Sequence, residues 1–171
     1  MGKREELNEL YFECGAGLYD SQMLEYNVSY LIYLLSSLGF SDIEPAKAEA
    51  IIDGKSKQTI GQMFRFLKGR SVTFSPSLEQ YPQEAIAARN QLIHHYLIDN
   101  IERIANPATR PQVVKEIRIL RRTIRQGEKA LRNFLDGLSE LSTGISPSAM
   151  KKAILKEYGI EHWEEENKDA L

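Results

Sequence analysis

The chain has 171 residues, 42% hydrophobic and 27% charged, with a formal net charge of −2. That is enough chain for one proper core, an ordinary globular composition, and no overall charge that calls for nucleic acid. No apolar run approaches the ~18 residues of a membrane span, and MGKREELNEL has no apolar core behind its basic residues, so neither an anchor nor a secretory signal is expected. Gly2 is not followed by the serine or threonine that a myristoylation pattern needs, because Glu6 and Leu7 occupy that region. Cys14 stands alone, which excludes an internal disulfide and points to a reducing compartment, hence a cytoplasmic protein.

Residues 4–38 are predicted to form one long helix. Leu24, Val28, Leu31 and Leu35 fall on one stripe at about 100° per residue, and Phe12, Tyr19, Tyr26, Tyr30 and Tyr33 fall on the opposite side. Such a helix contacts protein on both faces, or offers its tyrosines as a stacking platform; packing is the commoner use. Gly15 and Gly17 permit a close crossing or mark a break. Gly39 stops the helix, and Ser41 or Asp42 can cap the next one.

A short helix is expected over 43–53, ending at Asp53-Gly54, and another from Gln58 through Leu67 to near Gly69. SVTFSPSLEQYP reads as a loop, with Pro82 in the first turn of a helix that runs on to about Ala105. Asn106-Pro107 breaks that helix. The next begins near Thr109 to Pro111 and reaches about Leu141. Ser146-Pro147 caps a last short helix ended by Gly159, followed by an acidic tail in which His162 and Trp163 pack lightly on the bundle. No strand alternation or internal repeat is evident. The expected fold is an all-α bundle over 1–145, with two long antiparallel, hairpin-forming helices and short ones, then a short helix and tail over 146–171.

With Ile86 at the centre of a helical wheel, Ile93, Leu97, Ile101 and Ile104 lie within about 60° of it and form the predicted core stripe. Asn90 falls in that stripe, so its amide needs a partner. Arg89 projects to one flank and His94 to the other, Tyr96 lies on the Arg89 side, and His95 points away from the core.

Further on, Lys115, Arg118, Arg121, Arg122, Arg125, Lys129 and Arg132 fall on one side of the next helix, with Leu120, Ile124, Leu131, Phe134 and Leu138 opposite. Residues 115–132 carry seven basic and two acidic side chains, and residues 157–171 carry six acidic ones and one lysine. The basic ridge is either a phosphate-tracking surface or a face neutralised by the acidic tail.

Arg89, Asn90, His94 and Tyr96 together read R-N-x-x-x-H-x-Y. This resembles the HEPN superfamily of helical domains, many of whose ribonucleases carry an arginine and a histidine four to six residues apart, often with a polar residue after the arginine. The R-x4-H-x-Y form is similar to that of HEPN toxins paired with nucleotidyltransferase-type antitoxins. In those pairs the tyrosine is adenylylated by the antitoxin. His95 also satisfies the family spacing, which leaves open which histidine acts. The tail beyond residue 146 is outside the resemblance.

The chemistry suits these residue types. RNA carries its own nucleophile, the 2′-hydroxyl; a histidine can move the proton, and an arginine can hold the phosphate and stabilise its growing charge. No metal or other cofactor is called for, as there is no HExxH, no CxxC and no carboxylate cluster beside the histidines. Phosphate-binding glycine loops and Gly-x-Ser-x-Gly are absent, and Ser71, Ser75 and Ser77 have no histidine or acid near them in sequence.

The expected function is a metal-independent endoribonuclease acting on RNA in a stress, defence or toxin–antitoxin setting. A non-catalytic HEPN-like scaffold for dimerisation and partner binding, with Arg89 and His94 structural, is the rival; RNA binding without cleavage is a third. On an ideal helix Arg89 and His94 lie about 140° apart, so one copy does not aim both at one phosphate. The expectation is a homodimer whose cleft is lined by Arg89, Asn90, His94 and Tyr96 of both chains, with arginine and histidine meeting across the two-fold axis.

Overall fold

The computed structural model describes residues 3–39, 44–68 and 76–144, and all their regular structure is helical. In chain order there are α1 (Lys3–Ser37), α2 (Pro45–Ile52), α3 (Ile60–Lys68) and α4 (Pro76–Asn90), then a π-helical turn (Gln91–Tyr96), α5 (Leu97–Asp99), α6 (Ile101–Ala105) and α7 (Arg110–Thr143). The chain divides into two compact units, residues 1–132 and 133–171. Of the second, only the C-terminal part of α7 and Gly144 belong to the described residues. The caps expected at Ser41 or Asp42, the stop at Gly69, the serines at 71 and 75, and everything expected beyond Ser146 lie outside the described residues.

The predicted stripe of α1 is the core of the first unit: Leu24, Val28, Leu31 and Leu35 are essentially inaccessible, and Ile117, Ile124 and Leu131 of α7 are buried with them. Helix ends follow local rules. Gly39 and Gly54 take positive φ after α1 and α2. Thr59 and Gln62 exchange side-chain and backbone hydrogen bonds before α3, a capping box that starts the helix at Ile60 rather than Gln58.

Two expectations are corrected. SVTFSPSLEQYP is not a loop up to Pro82, because α4 begins at Pro76 and contains Pro82. Pro76 supplies the preset φ of a first helical residue, while Pro82 forfeits one backbone bond and sits fully buried. Nor does an uninterrupted α-helix run to Ala105. The π-helical turn occupies 91–96, and Asn100 leaves helical geometry at φ −113°, ψ 18°. The core stripe drawn through Ile93, Leu97 and Ile101 fails for this reason. Leu92 and Tyr96 are buried instead, whereas Leu97 and Ile101 are exposed. A wheel with a constant step cannot survive a turn holding roughly one extra residue.

Contacts fix the directions of the three long segments. Glu6 meets Arg110, Glu13 meets Arg118, and Asn27 donates to Glu128, so α1 and α7 run parallel. Glu25 meets Arg89 while Gly17 faces Leu92, so the arm from α4 to α6 runs antiparallel to α1. Tyr96 bonds Glu116 while Gly127 faces Ala85, so the same arm forms an antiparallel hairpin with α7.

Glycines set the closeness of these crossings. A Cβ at Gly127 would lie 2.3 Å from the Ala85 Cβ and 2.6 Å from the Tyr81 carbonyl oxygen. A Cβ at Gly17 would meet Leu92 Cδ2 at 2.7 Å, whereas one at Gly15 would meet nothing within 4 Å. The sequence offered Gly17 as a crossing or a break; within unbroken α1 it is a crossing. Gly127→Ala should therefore destabilise by about 2–3 kcal/mol, since backbone must move, and Gly15→Ala should stabilise by about 0.5–1 kcal/mol. Urea denaturation of both variants checks this pair of opposite signs.

Candidate active site around Arg89 and His94

Arg89 is in the last turn of α4, and His94 follows within the π-helical turn. In an α-helix residues five apart diverge by about 140°. A π-helical turn bonds residue i to i+5 and brings that pair onto one side. Arg89 Nη1 accordingly lies 3.0 Å from His94 Nε2 within one chain. The expectation that only a second copy could bring arginine and histidine together is therefore corrected, and the cause is the wider turn.

The guanidinium has donors only, so His94 Nε2 accepts and the ring proton resides on Nδ1. The same Nη1 donates to Asn90 Oδ1 at 3.1 Å, which gives the Asn90 amide its partner without a dimer axis. Arg89 Nη2 forms an ion pair with Glu25 Oε1 of α1. Arg89 is largely buried, with 16% of its side chain accessible, while His94 and His95 are exposed with their rings edge-on, 6.3 Å apart. Arg89 Nε is buried and has no hydrogen-bond partner. An orphaned donor of this kind costs about 1–3 kcal/mol and needs an explanation.

Tyr96 belongs elsewhere. Its side chain is buried, and its hydroxyl donates to Glu116 of α7. Burial, then the bond to Glu116, raises the phenol above its ordinary range. Arg103 makes two hydrogen bonds to the same carboxylate, at 2.7 and 3.0 Å. The hydrogen bonds from Arg103 and Tyr96 hold the Glu116 carboxyl down at about 2. This Tyr96–Glu116–Arg103 cluster ties the hairpin together. The expected four-residue cleft thus reduces to Arg89, Asn90 and His94, with Glu25 added.

Sequence reasoning missed Glu25, Arg103 and Glu116. No motif marks them, and only tertiary contact assigns their partners.

The basic ridge divides in two. Arg118 pairs with Glu9 and Glu13, and Arg121 pairs with Glu13 and Asp20, all on α1. Burial alone would raise the Glu13 carboxyl, but the hydrogen bonds from Arg118 and Arg121 together hold it below its usual range. Arg132 pairs with Glu128 one turn back. Lys115, Arg122, Arg125 and Lys129 are exposed and make no ion pair among the described residues.

Among the described residues no cluster of His, Cys, Asp and Glu has the makings of a metal site, and no helix is long and apolar enough to cross a membrane.

Because Glu116 is depressed in the folded state, its contribution to stability is complete above the unfolded value near 4.5 and is lost as pH falls toward 2. Stability should therefore fall across that window. Glu116→Gln should flatten the fall, with a smaller loss between pH 4.5 and 2 than wild type shows in denaturant titrations.

Comparison of the chain with protein-family models, with curated proteins and with solved structures gives no match. What the site does therefore has to follow from its own geometry.

Proposed function

We propose that this protein is a metal-independent endoribonuclease of the HEPN type, with Arg89 and His94 as its catalytic pair. The observation that carries the proposal is the 3.0 Å contact between Arg89 Nη1 and His94 Nε2 on a π-helical turn, a distortion that recurs at functional sites. It joins in one chain the two residues that the HEPN-like motif singles out.

The RNA phosphate draws Arg89 Nη1 away from His94, which frees the Nε2 lone pair. His94 Nε2 takes the proton of the 2′-hydroxyl as the 2′-oxygen bonds to phosphorus. The bond from phosphorus to the 5′-oxygen breaks, that oxygen takes a proton from solvent, and a 2′,3′-cyclic phosphate remains. Arg89 stabilises charge on the non-bridging oxygens, with Nη2 anchored by Glu25 and Nη1 steered by Asn90. His95 lies beside this pair as an outer contact. Lys115, Arg122, Arg125 and Lys129 supply an exposed basic stripe for the RNA backbone.

The setting in keeping with the motif is a cytoplasmic toxin or defence component, acting as a homodimer and controlled by a nucleotidyltransferase-type antitoxin. An antitoxin that adenylylates Tyr96 would have to draw its hydroxyl out of the bond with Glu116.

A second reading has its own support. Phe12, Tyr19, Tyr26 and Tyr33 recur every seven residues along α1 and are all exposed, an apolar stripe suited to another helix. In a partner-binding scaffold without catalysis, Arg89 would simply tie α4 to α1 through Glu25.

Purified protein should cleave RNA in the presence of a chelator and leave 2′,3′-cyclic phosphate ends. Arg89→Ala and His94→Ala should each lower the rate at least a hundredfold with helicity unchanged, and His95→Ala only severalfold. Because the pair lies in one chain, mixing the two inactive variants should restore nothing. Wild-type RNA left intact, or cleavage that survives both substitutions, would leave the scaffold reading. For binding, changing Arg122, Arg125 and Lys129 together to Gln should reduce the slope of log affinity against log salt by about two; an unchanged slope removes the stripe from the RNA path.

A further inference from the structure

The outer face of α1 is left open by the described residues. On a helical wheel centred on Gly15, the residues three and four positions to either side are Tyr11, Phe12, Leu18 and Tyr19, and such positions surround any point on a helix surface. All four are large and apolar, from 48% exposed at Leu18 to 67% at Tyr11. Asn8 and Gln22 stand seven residues from Gly15 in each direction, and both are exposed. From residue 5 to residue 37 no acidic or basic side chain falls within about 60° of Gly15 on that wheel.

Gly15 has no reason inside its own chain. A glycine within a helix costs about 1 kcal/mol relative to alanine. Gly17 has its reason in Leu92, whose Cδ2 would lie 2.7 Å from a Cβ, but a Cβ at Gly15 would meet nothing within 4 Å. Gly15 instead makes a hole, floored by backbone and walled by four large side chains. A hole of this kind lets a second helix approach closely.

The face is also self-complementary, which points to a second copy rather than to a different protein. An interface about a two-fold axis uses one patch on both sides. An axis at Gly15 sets two α1 helices antiparallel, with Tyr11 against Tyr19, Phe12 against Leu18 and Asn8 against Gln22 of the other copy. Apolar side chains then meet apolar ones, the amides exchange hydrogen bonds, and no like charges oppose each other. At about 150–250 Å² to an aromatic side chain, the exposed parts of this patch come to roughly 600 Å² per copy. The pair removes about 1,200 Å² from water, at the lower edge of stable, specific interfaces.

We infer that the protein pairs with a second copy of itself through this face of α1, on a two-fold axis at Gly15. The inference rests on the homodimer of the reading above, to which it gives an interface, and not on cleavage. It moves the axis away from Asn90, whose amide is already engaged by Arg89.

Sedimentation velocity of the full chain over a range of concentrations should show a reversible monomer–dimer equilibrium. Gly15→Leu fills the hole, and Leu18→Glu sets a charge against Phe12 of the other copy. Each should weaken the dimer about a hundredfold, with helicity unchanged. The gain expected of Gly15→Ala belongs to the protomer and is read at dilutions where no dimer forms. Register is read with a short bifunctional maleimide in chains carrying Cys14→Ser. Gly15→Cys should join to its own copy, because the axis sets it against itself. Gln22→Cys should not, since the two copies of that residue stand about 21 Å apart along the paired helices, but it should join to Asn8→Cys when the two variants are mixed. A wild type monomeric at every concentration would leave the face to a different protein and overturn the inference. A dimer indifferent to Gly15→Leu and Leu18→Glu, or Gln22→Cys joining to its own copy, would overturn it as well. A monomer that cleaves RNA would reject this interface and leave the nuclease standing. A dimer with these cross-links beside intact RNA would uphold the interface and reject the nuclease.

Discussion

Between Gln91 and Tyr96 the backbone turns more widely than the α-helix before it, and that change of step decides which side chains meet. It brings His94 under the Arg89 guanidinium. It also buries Leu92 and Tyr96 in place of the aliphatic residues that a regular helix would turn inward. With Tyr96 inside, its hydroxyl reaches Glu116 and Arg103 joins the same carboxylate, so the hairpin between α4–α6 and α7 is closed by the turn that builds the site. Arg89, in turn, is steadied from α1 by Glu25. The candidate site thus has three supports, namely α1, the end of α4 and the wide turn.

Charge is distributed by the same packing. Parallel α1 and α7 face each other with Glu6, Glu9, Glu13 and Asp20 on one helix and Arg110, Arg118 and Arg121 on the other. Glu13 and Arg110 are buried, and Arg110 also donates to the Ile104 carbonyl at the end of α6. Pairs of this kind fix register more than they add stability, because desolvation offsets much of their attraction. Their consequence for function is subtraction. Of seven basic side chains on one side of α7, three are engaged by neighbouring acids and four remain for solvent or a polyanion.

Much of the fold was legible in the sequence. The α1 stripe, the glycine stops at Gly39 and Gly54, the Asn106-Pro107 break and the length of α7 all follow from local periodicity and backbone chemistry, and the structure agrees with each. Arg89, Asn90 and His94 were legible as a spacing. Their meeting within one chain was not, because helical-wheel reasoning assumes a constant step and nothing in QLIHHY announces a wider turn. Pro82 misled for a similar reason, since a proline reads as a boundary unless burial elsewhere offsets its missing bond. Glu25, Glu116 and Arg103 needed the tertiary structure, since an ion pair between distant segments leaves no periodic trace.

The π-helical turn makes Arg89 donate to His94 Nε2 within one chain. The ¹⁵N chemical shifts of the His94 ring, recorded with the imidazole neutral, test it directly and do not depend on catalysis. The expected result is the Nδ1–H tautomer, with Nε2 bearing the lone pair, and a clear change in the Nε2 shift in Arg89→Ala. An Nε2–H tautomer, or ring shifts indifferent to that substitution, would contradict it.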